Sequence, residues 1–221
     1  MTPRRIPGWL AAVAVAASLV AAVAVFLALF DWNHLRGAAA REVTRATGRS
    51  FSIDGDLTVA LSLKPRIVAN DVVVGNAAWS REPVMARIKA IEFRIDLLEL
   101  LAGRISLPEL TLSQPHLLFE VNASGEPNWT FSGEGSSPQR APAIDVFTID
   151  EGSAAFRDAR NDTAMAFELR TLAPDASAPR FGMELQGKGR YKGLPVTLHA
   201  RGGPLLRLRD GGTPYPVTAD A

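Results

Sequence analysis

The 221-residue chain has no cysteine, three histidines and few aromatic side chains. Without cysteine there is no disulfide scaffold, thiolate metal centre or cysteine nucleophile. His34, His116 and His199 lie far apart, and none has a ligand-spaced partner of the HExxH kind. Charge of one sign is also lacking: 24 basic against 23 acidic side chains leave a net +1. Such a chain has no field to attract nucleic acid and no aromatic platform for bases, so a nucleic-acid partner is not expected. A Gly-rich phosphate loop is missing, because Gly133-Glu134-Gly135 has no following Lys-Ser/Thr. There is no GxSxG elbow, and the pairs Asp54/Asp56 and Asp150/Glu151 sit at strand edges or turns, where solvated carboxylates are the rule. These absences point to a non-enzymatic protein with no catalytic residues, metal or cofactor.

What is present begins with a greasy run. After Arg4-Arg5, the 25 residues Ile6 to Phe30 carry no charge. As a helix they extend about 37 Å, enough to cross a ~30 Å hydrocarbon core. Trp9 and Trp32 flank the run at the spacing of two interfacial aromatic belts. A signal peptide has a shorter apolar region, so the length favours a retained anchor. Orientation stays open on charge: Arg4 and Arg5 precede the run, while Arg36, Arg41, Arg45 and Arg49 follow it.

Past the run, Trp32, Leu35, Ala39, Val43 and Ala46 recur at helical spacing, which predicts an amphipathic helix over residues 31–48. Asp31 or Asn33 is its expected cap and Gly48 its stop. From Phe51 the period becomes two. Phe51, Ile53, Leu57, Val59, Leu61 and Leu63 share one parity, as do Ile91, Phe93 and Ile95, and then Leu117, Phe119 and Val121. Strands are expected over 51–63 (bent at Asp54-Gly55), 67–74, 89–96, 105–112 and 117–121, with a short leucine-rich helix over 97–102. Residues 133–142 have the composition of a linker. Strands then resume at 163–171, 181–191 and 196–201. At an offset of 37 residues, Leu110-Thr111-Leu112 matches Phe147-Thr148-Ile149, Pro115 meets Gly152 and Phe119 meets Phe156, as two copies of one unit would; with two copies and few identities, chance is the alternative.

The pattern predicts a mainly β protein with a single transmembrane helix and then an amphipathic helix before the strands, and on pattern alone a closed sandwich or barrel core is favoured over an open, concave sheet. Its expected divisions are an anchor over 1–30, the helix over 31–48, a first β segment over 49–132, the linker, and a second β segment over 143–221. Strands with one wholly apolar face must hide that face. Either the sheet curls over itself, or it holds something apolar. The named residues of the three alternating runs are the candidate lipid-contacting positions, with Trp9 and Trp32 at the membrane interface.

One combination of motifs is more specific. Asp31-Trp32-Asn33, Thr47-Gly48-Arg49, Ile53 with Gly55-Asp56-Leu57, Pro65, Asn70-Asp71-Val72, Asn76 and Trp79 follow in order. They are joined downstream by LLELLAGRISLPEL, Pro115, and Gly125 with Asn128, Trp129 and Phe131. This series resembles the N-terminal region of bacterial AsmA-like proteins. The resemblance implies a Gram-negative inner-membrane protein with a periplasmic body and a repeating β-groove fold, a curved antiparallel sheet with a short amphipathic helix at its membrane-proximal end. It also implies a role in phospholipid transport toward the outer membrane, or in outer-membrane protein assembly. The implied partners are membrane lipids through their acyl chains, the inner membrane, and outer-membrane or envelope proteins. Members of the family are usually longer, so this chain is expected to be part of a longer protein.

Overall fold

The structure is a computed structural model that describes residue 18 and residues 30–131, 143–172, 182–202 and 217–220. Apart from residues 18 and 30, the expected span Ile6–Phe30 lies outside the described residues, as do Trp9 and the expected linker 133–142. No helix among the described residues is long and apolar enough to cross a membrane. The chain divides into two compact units, Met1–Trp32 and Asn33–Ala221.

A 3-10 turn, Trp32–Leu35, leads into helix α1, Arg36–Thr47. Leu35 caps α1 without a side-chain bond, in place of the expected Asp31 or Asn33. The Asn33 amide oxygen instead accepts from the Leu57 backbone N–H at 2.9 Å, and Arg36 Nη1 donates to the Gly55 carbonyl at 2.7 Å. Gly48 ends the helix as expected, with left-handed φ of 69° and its N–H bonded to the Thr44 carbonyl.

All strands among the described residues join one sheet. They are β1 (Phe51–Ile53), β2 (Leu57–Ala60), β3 (Arg66–Gly75), β4 (Val84–Arg94), β5 (Ser106–Val121), β6 (Ala143–Asp150), β7 (Gly152–Asp158), β8 (Thr163–Leu172), β9 (Gly182–Tyr191), β10 (Leu194–Gly202) and β11 (Val217–Asp220). Their order is β1-β3-β4-β5-β7-β8-β9-β10-β11, with β2 also beside β3 and β6 also beside β5. The sheet is open and curved, and its pairing is mixed. That corrects the wholly antiparallel expectation, because β5 runs parallel to both β6 and β7. Helix α2 (Leu97–Leu101) joins β4 to β5, capped by Asp96 Oδ1 accepting from the Leu98 and Glu99 amides.

Two strand expectations change. The run 51–63 is two short strands followed by a loop, and the two strands expected over 105–112 and 117–121 are one continuous strand, Ser106–Val121. The break between β1 and β2 and the continuity of β5 have one cause. Asp71, Gln114 and Glu151 have positive φ of 51°, 46° and 48° and lie in one line across neighbouring strands. Register carries the line through Lys89 of β4, whose ammonium bonds Asp71 at 2.8 Å, and into the Asp54–Asp56 break between β1 and β2. Along this crease the alternation of faces inverts. Apolar residues three apart, Ala69/Val72, Ile88/Ile91, Leu112/Pro115 and Ile149/Gly152, come to the same face. Gln114-Pro115 therefore bends the strand without ending it.

Candidate functional site

The inversion at the crease makes one face of the sheet apolar along most of its length. Below the crease that face carries Leu57, Val59, Ile67, Ala69, Ile91, Phe93, Leu112 and Ile149. Above it the same face carries Phe51, Ile53, Val72, Ile88, Pro115, Leu117, Ala154, Phe156, Phe167 and Leu198. The alternation is plainest in β8, where Met165, Phe167 and Leu169 are half-buried and Ala164, Ala166, Glu168 and Arg170 are exposed. No second sheet among the described residues lies on it. Its closest-packed part is a small cluster of Leu57, Ala69, Val72 and Ile88, against which Phe51, Ile53, Ile67, Ile91 and Leu112 pack. Val72, with no exposed surface, is covered by neighbours on its own sheet. Curling of the sheet does part of the covering.

The expected lipid-contacting residues divide accordingly. Phe51, Ile53, Val59, Ile91, Phe93, Leu117 and Phe119 are half-buried on the apolar face. Leu57 and Val121 are buried, and Leu57 belongs to the closed cluster. Ile95 is half-buried just past β4, where its N–H bonds the Pro65 carbonyl. Leu61 and Leu63 lie beyond β2 and are 44% and 74% exposed, so their parity does not carry them onto the sheet face. Trp32 is half-buried, in edge contact with Phe30 at 5.2 Å.

Two features of this face were not anticipated from pattern. Trp129 stacks over it from the segment after β5, its ring 5.7 Å from Phe119 and 6.4 Å from Phe156. The preceding Asn128 is completely buried and fixes that segment. Its Nδ2 donates to Asn76 Oδ1 at 2.9 Å and to the Leu118 carbonyl at 2.8 Å, and its Oδ1 accepts from the Glu120 N–H at 3.0 Å. Arg49 Nη2 donates to the Asn128 and Thr130 carbonyls, and Asn76 Nδ2 reaches Ser80 and Glu120. Motif residues far apart in sequence (Arg49, Asn76 and Asn128) thus form one hydrogen-bonded knot at the rim of the face, next to the ring contacts of Trp129. An asparagine in a turn-like string gave no local sign of this burial.

The opposite face mixes polar and small apolar side chains. A trough of about 890 Å³ crosses it, with His116, Ser153, Glu168, Gln186 and His199 in one row and Leu118, Ala155, Ala166, Lys188 and Thr197 in the next. His116 Nδ1 lies 2.6 Å from Ser153 Oγ. Beside the trough the Glu184 carboxylate, 2% exposed, is bonded by Arg170, by Arg201 at 2.8 Å and by His199 at 3.2 Å. The Arg201 hydrogen bond leads in holding its carboxyl down to about 2, against the opposing effect of burial. This cluster ties β8, β9 and β10 together. Among the described residues no group of His, Asp or Glu is placed to hold a metal ion.

Comparison with known proteins gives two findings. A model of the AsmA family matches residues 10–174. The Escherichia coli (strain K12) protein named AsmA family protein YhjG is 27% identical over 237 aligned residues, covering 91% of this chain and 34% of the relative. The chain spans about a third of the length of that curated relative.

Proposed function

Since the chain belongs to the AsmA family, we propose that its apolar sheet face is a groove for phospholipid acyl chains. In this reading it is the membrane-proximal part of a path carrying lipid through the bacterial envelope toward the outer membrane. Family membership supports an envelope-related role. The observation that carries the finer reading is the continuity of the apolar face through the crease, with half-buried Phe93, Phe119, Phe156 and Phe167 and no second sheet over it among the described residues. Each methylene taken from water contributes about 0.8 kcal/mol, so roughly ten of them hold a lipid with no catalytic group. The mechanism is passive: acyl chains lie on the sheet while head groups stay in water. The uncharged run Ile6–Phe30 is the proposed inner-membrane anchor, with the β body in the periplasm.

The cluster of Leu57, Val72 and Ile88 favours a second reading. An assembly factor for outer-membrane proteins needs only a closed core and a contact surface. Photo-crosslinking in the native envelope separates the two. A photoreactive residue at Phe93, Phe119 or Phe156 is expected to capture phospholipid, and one at the covered Leu57 is not. Adducts solely to protein at those three half-buried positions would reject the groove and support assembly.

A further inference from the structure

Six large aliphatic side chains stand in water at one end of the sheet. Leu61, Leu63, Leu98, Leu100, Leu101 and Ile105 are 44%, 74%, 66%, 45%, 85% and 51% exposed. They lie on the loop after β2, on α2 and on the loop before β5, and backbone bonds hold these pieces together. The Leu97 N–H reaches the Leu63 carbonyl at 3.4 Å, Ile95 reaches Pro65 at 3.3 Å, and Asp96 reaches Ser106 at 3.1 Å. The result is one built lip, well beyond the scattered exposed leucine of an ordinary surface.

We propose that this lip docks on the surface of a phospholipid bilayer. Two observations choose that occupant. First, the lip is aliphatic throughout, without the tryptophan, tyrosine and free arginine that anchor protein interfaces. Second, the charges around it are already paired: Lys64 with Asp96 at 3.2 Å, Arg66 with Glu92, Arg94 with Glu109 at 2.9 Å and Arg104 with Glu99 at 2.5 Å. A rim balanced in this way matches a zwitterionic head-group layer and gives an acidic or basic partner nothing to hold. Leucines projecting from a single-turn helix enter the acyl boundary while the paired charges stay in the head groups. This proposal goes beyond acyl-chain carriage, and either one stands if the other fails.

The absence of cysteine makes the test clean. The full chain is reconstituted in phosphatidylcholine vesicles with one cysteine carrying an environment-sensitive fluorophore, at Leu101 or at the exposed Ala123 beyond the opposite end of β5. The Leu101→Cys probe is expected to shift to the blue and to lose its emission to lipid-borne nitroxides, while the Ala123→Cys probe stays water-like. Adding Leu98→Asp, an exposed position that leaves the sheet intact, is expected to abolish the quenching at Leu101→Cys. The proposal is overturned if both probes behave alike. It is equally overturned if protection of Leu101→Cys grows only with protein density, the mark of a second copy, or requires anionic lipid. Crosslinking at Phe93 and Phe119 reads the groove separately, so the two failures are distinguishable.

Discussion

Gln114 and Glu151, 37 residues apart, sit side by side with their backbones in the same left-handed conformation, and Gln114 Nε2 donates to Glu151 Oε2 at 3.2 Å. They mark where the crease crosses from β5 to the β6–β7 junction. The left-handed region costs a non-glycine residue roughly 1–2 kcal/mol, and here it recurs in line across the sheet. Their exposed side chains leave the backbone as the cause of the bend.

Gln114→Val is expected to lower stability by about 1–2 kcal/mol relative to Gln114→Gly, because a branched side chain resists positive φ and glycine does not. Urea unfolding of the two variants checks this. Equal midpoints would show that the backbone at Gln114 is unstrained.

Glu184→Gln addresses the buried carboxylate. The folded-state carboxyl of Glu184 sits at about 2, below its ordinary 4.5. Its stabilisation is therefore complete above the ordinary value and is lost as pH falls from about 4.5 toward 2. Glutamine at this position is expected to remove that acid-side decline. It also costs roughly 2 kcal/mol at neutral pH, discounted because Arg170 and Arg201 are mostly exposed. Thermal melts of both proteins across this pH range measure it.

Asn128→Ala is expected to cost about 2–4 kcal/mol, since it leaves the Glu120 N–H and Leu118 carbonyl without their partner. Asn128→Asp keeps the size but cannot donate to Asn76 Oδ1 or the Leu118 carbonyl, so it is expected to fare no better. Both variants should redden tryptophan emission as Trp129 leaves Phe119 and Phe156. An unchanged spectrum with unchanged stability would remove Asn128 from its role as the pin.

Gly189→Ala and Gly187→Ala separate a backbone limit from a side-chain one. At Gly189 an added Cβ falls on the Ala164 carbonyl oxygen and the Met165 Cα, neither of which can swing away. At Gly187 it meets the Phe167 ring, 2.6 Å from Cδ1, and a ring can turn. The expected loss is about 3 kcal/mol or more at Gly189 and about 1–2 kcal/mol at Gly187. Denaturant midpoints of the two variants give the ranking.

Much of the fold was legible because strand alternation is local. β3, β8 and β9 fall within a residue or two of their expected bounds. The crease was not legible, since an apolar spacing of three inside a strand looks like the end of one strand and the start of another. Gln114-Pro115 carries that local signature of a break, although the strand runs through it. Parallel pairing of β5 with β6 and β7 is hidden for a different reason, as nothing in a strand's own pattern names its neighbour. Leu61 and Leu63 keep the parity of Leu57 and Val59, but beyond Ala60 there is no partner strand to enforce it. The motif residues that hold the rim were visible one by one. Only folding showed that Arg49, Asn76 and Asn128 touch.

The 37-residue offset seen in the sequence is also the pairing offset, from Ser106 beside Ala143 to Val121 beside Asp158. A segment that lies parallel against its own earlier likeness inherits its address: each residue stands next to its counterpart and points the same way. Lineages that copy such a unit can lengthen a greasy surface without inventing a new one, and an error in copy number changes reach before it changes chemistry.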